Sequence, residues 1–435
     1  MIPPTPNSNG LLVQLAGEIS SNAAILSEHI RLNDLPQPSF DADGPVQIPQ
    51  SDETVAAART ALIDATRALT ALAVGPAETN RLFCFNELYL LGAMQVLCHF
   101  NVPQNVPLSG EIELQELSHK TTLPASLLAR LIRMASANYY FTEPRSGFVA
   151  HTSFSKMLAT DETLRATVWF RHAEMLPAVS KLVEMVERFP DSPEPGDTAF
   201  KLAFGDTFFD YKEKHPQHMV KFGQFVNAFA SGEHGVADSA ESIARAYPWG
   251  ELSNDSLVVD VGGGVGHIAA AIAQAHPHLR FEVQDFGDLK AEAEAVFKQR
   301  GVEGRVKFRA HNFFEGQSAD TKGARVYFLR NIFHNWSDLY CRRILKPLVE
   351  AMGPESRIVV CEVVLPQAGT VPQAQERIVR ALDLTMLSMF NAKERSYEDW
   401  QALFRSVDER LGVVDVVGRP RMKRDGLIDA RLTGP

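Results

Sequence analysis

A chain of 435 residues, 45% hydrophobic and 22% charged, can bury more than one core and has the make-up of a folded globular protein, which excludes a disordered or membrane-embedded class. A formal charge of -10 and a pI near 5.8 argue against a protein built to hold a nucleic-acid backbone. The four cysteines, Cys84, Cys98, Cys341 and Cys361, show no CxxC spacing, no basic leader precedes an apolar core, and no apolar run reaches about 18 residues. A reducing cytoplasm without membrane contact is the expectation.

In chain order, residues 1–75 read as a helical extension, with helices Gly10 to Leu32 and Asp52 to Leu72 around a proline-rich loop. "RLFCFNELYLLGAMQVLCHF" (81–100) is apolar on nearly all sides, which predicts burial between helices or between subunits. "IELQELSHKT", "PASLLARLIRMASANYYF" and "TEPRSGFVAHTSFSKML" then give helix, helix and two short strands turning at Arg145-Ser146-Gly147, the order of a winged helix spanning 76–190. Its second helix offers only Arg130 and Arg133, and its wing only Arg145 and Lys156, too little charge for a DNA reader. Beyond the loop Arg188 to Asp197, Phe222, Phe225 and Phe229 recur at helical spacing, a pattern that fits a core face or a pocket wall for a flat ligand. After Trp249 strands alternate with helices, which predicts an α/β, Rossmann-like, doubly wound parallel sheet within 191–435.

The first of these strands, "LVVDV", runs into Gly262, Gly263, Gly264 and Gly266 as the next helix opens. In a doubly wound sheet that place is the crevice where ligands sit, and glycine lets the backbone turn tightly and a ligand lie against it. A dinucleotide fingerprint needs glycine at 267, which is His, and no Gly-Lys-Ser or Gly-Lys-Thr follows for a nucleoside triphosphate. Asp285 ends the second strand, 25 residues after Asp260, where a carboxylate can accept both hydroxyls of a ribose. Two acids at one mouth suit a sulfonium cation better than a pyrophosphate, so the sign of the charge favours S-adenosylmethionine.

The motifs "VVDVGGGVGH", "VQDF", "HNFF" and "YFLRNIFHNWSD", in this order, resemble the class I methyltransferases, specifically the plant and fungal small-molecule O-methyltransferases of the caffeic acid type, from about Ala77 to Arg431. The resemblance implies S-adenosylmethionine held by Asp260, the glycine loop, Asp285, Asn312, Phe313 and Arg330. It implies His334 as general base flanked by Glu362 and Glu394, and an acceptor pocket drawing on Phe222, Phe225, Phe229, Asn335 and Met386. It also implies that the winged helix is a dimerisation domain, hence a homodimer acting on a small molecule, with no metal. Two positions depart from the family pattern. Asn312 stands where an acid usually accepts from the adenine amino group, a role that an amide oxygen can still fill. Asn335 stands beside the base in place of aspartate.

Such a site would align an acceptor hydroxyl with the methyl donor and remove its proton. A phenol near pKa 10 facing a histidine near 6.5 leaves about 5 kcal/mol for complete prior transfer, which a carboxylate on the imidazole, Glu362 or Glu394, would reduce. The alternative, which Asn335 keeps open, is a pericyclase of the same fold that binds S-adenosylmethionine and transfers no methyl group.

Overall fold

The computed structural model describes residues 10–47, 52–82, 85–230, 239–417 and 425–433, in two compact units. The first comprises Met1–Glu174, Val220–Phe225 and Ala368–Ile378; the second comprises Met175–Met219, Val226–Gln367 and Val379–Pro435.

In the first unit the helices Leu11–Leu32 and Glu53–Leu82 share a small cluster of Leu26, Val55 and Ala58. The second helix runs past the expected end at Leu72, because Pro76 restarts it after a break at Gly75. The loop between the two helices is fastened further along the chain, with Phe40 stacked on Tyr139 at 4.5 Å and Asp43 paired with Lys156 at 2.6 Å. Helices Leu114–Thr121 and Ala125–Ser136 precede a hairpin that turns at the expected place. Its strands, β2 (Phe141–Thr142) and β3 (Phe148–His151), join β1 (Glu111–Glu113) in the order β1-β3-β2. Leu128, Ile132 and Ala135 recur at helical spacing and enter one core with Leu97, Leu117, Phe141 and Val149. The helix Phe85–His99 buries Ala93, Met94 and Leu97 but leaves Phe85, Leu88 and Tyr89 exposed at 60%, 50% and 58%, so among the described residues only one of its apolar faces is covered. Cys84 lies outside the described residues, and Cys98, Cys341 and Cys361 are free thiols. Among the described residues no single helix is long and apolar enough to cross a membrane.

The second unit is built on a mixed sheet. β4 (Leu257–Val261), β5 (Arg280–Asp285), β6 (Val306–Ala310), β7 (Val326–Arg330) and β8 (Arg357–Leu365) are parallel, with short β9 (Arg395–Ser396) beside β8. β10 (Leu411–Val417) and β11 (Asp425–Leu432) add an antiparallel edge that the sequence reading did not anticipate, giving the order β10-β11-β8-β7-β4-β5-β6. Alternate residues of β4 supply different cores: Val258 packs with Ile272, Val283 and Phe328, and Val259 with Tyr327, Ile344 and Val360. Both faces are therefore covered, which is why these strands read as unbroken apolar runs. From β4 the chain moves outward through β5 and β6, then returns to β4's other side through β7 and β8. This reversal opens a crevice at the carboxyl end of β4.

Gly266 caps that crevice at the start of the helix His267–Ala275 with φ +75°. A Cβ there would come within 2.7 Å of Phe297 Cε1 and 2.9 Å of Val283 Cγ2. Gly266→Ala combines an unfavourable left-handed backbone with overpacking and should lower stability by about 2–4 kcal/mol in denaturant unfolding. A loss under about 1 kcal/mol would show that Phe297 yields to the new methyl group.

Candidate active site

At the carboxyl end of β4 the backbone bends onto β5, and the N–H groups of Gly262 and Gly263 donate to the Gln284 carbonyl at 2.8 and 3.2 Å. Much of the glycine content answers to the protein's own crowding. A Cβ on Gly262 would lie 2.5 Å from Ile332 Cδ1, and one on Gly263 2.5 Å from Asp260 Oδ2. Only at Gly264 is there open space above the loop, with nothing within 4 Å of where a Cβ would stand. Its N–H donates to Asp285 Oδ2 at 2.7 Å, while Asp285 Oδ1 accepts from Phe286 N–H at 2.8 Å. Each carboxylate oxygen of Asp285 keeps a further lone pair for a ligand hydroxyl. Burial raises its pKa despite those two hydrogen bonds.

Asp260 is fully buried, and its carboxyl is pushed up to about 7, first by burial and then by Asp285, against the opposing charge of Arg330 at the end of β7. Its Oδ2 has no hydrogen-bond partner among the described residues. A buried acid of this kind favours positive charge nearby. Asn312 follows β6, and its Oδ1 accepts from Phe314 N–H at 3.1 Å in a tight local turn that leaves the side chain exposed. The Phe313 ring lies 3.8 Å from the Cβ position of Gly262 and edge-on to Trp336 at 6.0 Å.

The turn after β7 carries His334 in a single 3-10 turn, Phe333–Asn335. Glu362, one of the two glutamates expected beside the imidazole, is buried in β8, and its Oε1 accepts the backbone N–H of Ile332 at 2.9 Å and of Phe333 at 2.6 Å. Burial pushes its carboxyl up to about 7, against the lowering charges of His334 and Arg395. On the carbonyl side Arg395, fully buried, donates to Phe333 O and Trp336 O, each at 3.0 Å, and to Asp338 Oδ1 at 2.7 Å. The other glutamate, Glu394, meets the imidazole: its Oε1 lies 3.1 Å from His334 Nδ1, and its own N–H is held by Asp383 at 2.9 Å. With Nδ1 donating to that carboxylate, Nε2 is the ring nitrogen that carries a lone pair. Asn335 donates from Nδ2 to the Asn331 carbonyl at 3.1 Å, and Met386 is buried on the helix Gln373–Phe390.

The structure thus gathers Asp260, the glycines, Asp285, Phe313, Arg330, His334, Glu362 and Glu394 around adjoining strand ends. Phe222 and Phe225 belong to the first unit, where they pack on Phe170 at 5.5 and 4.3 Å, and the side chain of Phe229 lies outside the described residues. Sequence reasoning missed Asp338 and Arg395. Their signal was present, since Asp338 closes the His-x-Trp-x-Asp pattern and Arg395 follows Glu394.

A family model described as an O-methyltransferase domain matches residues 182–407. The chain is 36% identical over 420 residues to O-methyltransferase aurJ of Gibberella zeae, covering 93% of this chain and 94% of that protein. Among solved structures, OxaC in complex with sinefungin and meleagrin shares the fold with a TM-score of 0.76 at 21% identity, over 98% of this chain and 100% of that one. NcsB1, an O-methyltransferase from neocarzinostatin biosynthesis solved with S-adenosylmethionine and 2-hydroxy-5-methyl naphthoic acid, gives 0.62 at 24% identity, over 79% and 96%.

Burial alone would raise the Asp338 carboxyl, but Arg395 and Lys393 hold it below its ordinary value. A depressed pKa contributes stability above the unfolded value that is lost as pH falls through the folded one. Asp338→Asn should therefore cost about 1–2 kcal/mol at neutral pH, the side chain being 42% exposed. Unfolding curves of the two proteins should converge as the pH falls through the lowered Asp338 value, and a pH-independent gap would contradict the ionic origin.

Proposed function

The chain belongs to the O-methyltransferase family, and from that membership we propose that it moves the methyl group of S-adenosylmethionine to a phenolic hydroxyl of a small aromatic or polyketide-like metabolite, with His334 as general base. The observation that carries this reading is a juxtaposition: Ile332, in the turn that presents His334, fills the space over Gly262 of the glycine loop, so base and donor crevice adjoin. The crevice suits the donor. Asp285 offers lone pairs to ribose hydroxyls, Gly264 leaves room over the backbone, and Asp260 brings a buried carboxyl with an oxygen unpaired among the described residues. Asn312 and Phe313 stand at the β6 end for the adenine.

When bound, S-adenosylmethionine supplies an electrophilic methyl group on a sulfonium centre. His334 takes the acceptor's hydroxyl proton at Nε2, and Glu394 at Nδ1 favours the imidazolium that results, narrowing the gap of about 5 kcal/mol between phenol and free imidazole. Glu362 keeps the turn in place through its backbone. Asn335, tied to Asn331, orients the same turn and adds no charge beside the base. The aromatic character of the acceptor is supported by the 2-hydroxy-5-methyl naphthoic acid bound to NcsB1. Met386, buried on the helix Gln373–Phe390, is an acceptor-lining residue on this reading. The uncovered apolar face of the helix Phe85–His99 is the surface of a homodimer, built on the winged-helix region.

His334→Gln keeps a polar side chain but removes the proton acceptor, so turnover should fall by roughly 10²–10⁴ with donor affinity little changed. The measurement is S-adenosylhomocysteine formed per product. One per product in the wild type, collapsing in the variant, supports methyl transfer, whereas product without demethylated donor identifies the pericyclase. The dimer is tested by solution mass at micromolar concentration: twice the chain mass is expected, and a strict monomer removes the proposed interface.

A further inference from the structure

Between the donor strand and the adenine-side loop lies a set of buried amides that the proposed chemistry does not use. Gln284 occupies the position before Asp285 in β5. Its backbone carbonyl anchors the glycine loop, and its side chain, 1% exposed, points into a polar cluster. There Gln284 Nε2 donates to Gln317 Oε1 at 2.9 Å, and Gln317 Nε2 donates back to Gln284 Oε1 at 3.0 Å. Gln317 is itself 5% exposed. Its second donor reaches His311 Nε2 at 3.3 Å, and its oxygen also accepts from Thr321 Oγ1 at 2.9 Å. Gln284 Nε2 further donates to Glu282 Oε1 at 3.0 Å, which Arg309 holds at 2.7 Å. Every polar atom of both amides is thus engaged.

The arrangement staples one short loop at both ends. His311, its first residue, donates its backbone N–H to the Asp285 carbonyl at 3.0 Å, and Gln317, its last, is gripped by Gln284. Asn312 and Phe313 lie between the two staples. A buried amide left unpaired is destabilising, while apolar side chains of the same shape in both places remove that penalty. Core stability alone therefore does not call for this pair, and its effect falls on where the loop lies relative to Asp285.

We propose that Gln284 and Gln317 are positioning residues for the methyl donor: through their reciprocal amide pair they fix residues 311–314 against Asp285, so donor affinity depends on two side chains that never touch the donor. This rests on the reading of the crevice as the S-adenosylmethionine site. The pair sets the spacing between the ribose carboxylate and the adenine-side residues, and the base and its carboxylate lie outside its reach.

The test is calorimetric binding of S-adenosylhomocysteine, which needs no knowledge of the acceptor, to wild type, Gln317→Met and the Gln284→Met/Gln317→Met double variant, with thermal unfolding of each. Gln317→Met should lower Tm and weaken binding about tenfold. The double variant, with no orphaned amide, should regain most of the lost Tm yet keep the weakened binding, a separation that a merely structural pair would not produce. Wild-type affinity in the double variant, or in Gln317→Met despite a lower Tm, would overturn the proposal. A wild type that binds no S-adenosylhomocysteine would instead remove the donor-site reading beneath it.

Discussion

The position of His334 depends on a buried peptide turn gripped from opposite sides by opposite charges. Glu362 takes the N–H groups of Ile332 and Phe333, and Arg395 takes the carbonyls of Phe333 and Trp336. Backbone groups in a loop normally turn to water, and in a buried loop each needs another partner. Here side chains supply those partners for Ile332, Phe333 and Trp336. Neither charge is stranded. Arg395 is paired with Asp338 and lies 5.4 Å from the Trp400 ring, and the acid is partly neutralised by burial, which pushes it up to about 7.

Because that turn is fixed, its neighbours are fixed too. Ile332 occupies the volume over Gly262, Trp336 meets the Phe313 ring, and His334 reaches Glu394 through Nδ1. The two glutamates beside the histidine therefore divide the work, one holding the backbone and one the ring. The glycine loop is shaped from the other side by Phe297 and Val283 and from below by the Asp260 carboxylate. Close packing transmits these constraints, since an interior with few voids leaves no room for one element to shift alone.

The electrostatics of the crevice run against stability. Asp260 and Asp285 are both pushed toward the neutral form, and Asp260 has an oxygen without a partner among the described residues. A fold selected only for stability would replace such groups with apolar ones. On the proposed reading, a cationic donor relieves the repulsion between them, and the polar cluster around Gln284 and Gln317 holds the opposite wall at the right distance.

Periodicity was enough to read the parallel strands, because burial on both faces leaves an unbroken apolar signature, and the four glycines marked the strand-to-helix junction where the crevice opens, although Gly262, Gly263 and Gly266 answer there to crowding by Ile332, Asp260 and Phe297. Asp285, His334 and Glu394 could be singled out for the same reason: each stands at a strand end or in a short motif. The edge strands β10 and β11 escaped, since Asp415 and Asp429 interrupt their apolar pattern and their pairing joins distant segments. The choice between Glu362 and Glu394 as the histidine's partner also escaped. It depends on where β8 and the segment before β9 bring two carboxylates separated by 32 positions, a matter of register that no local pattern encodes. Residue type and spacing along the chain determined which chemical groups this protein has at its crevice. Only the tertiary structure decided which of them grip backbone and which face the reaction, because hydrogen-bond geometry is set across strands and not along them.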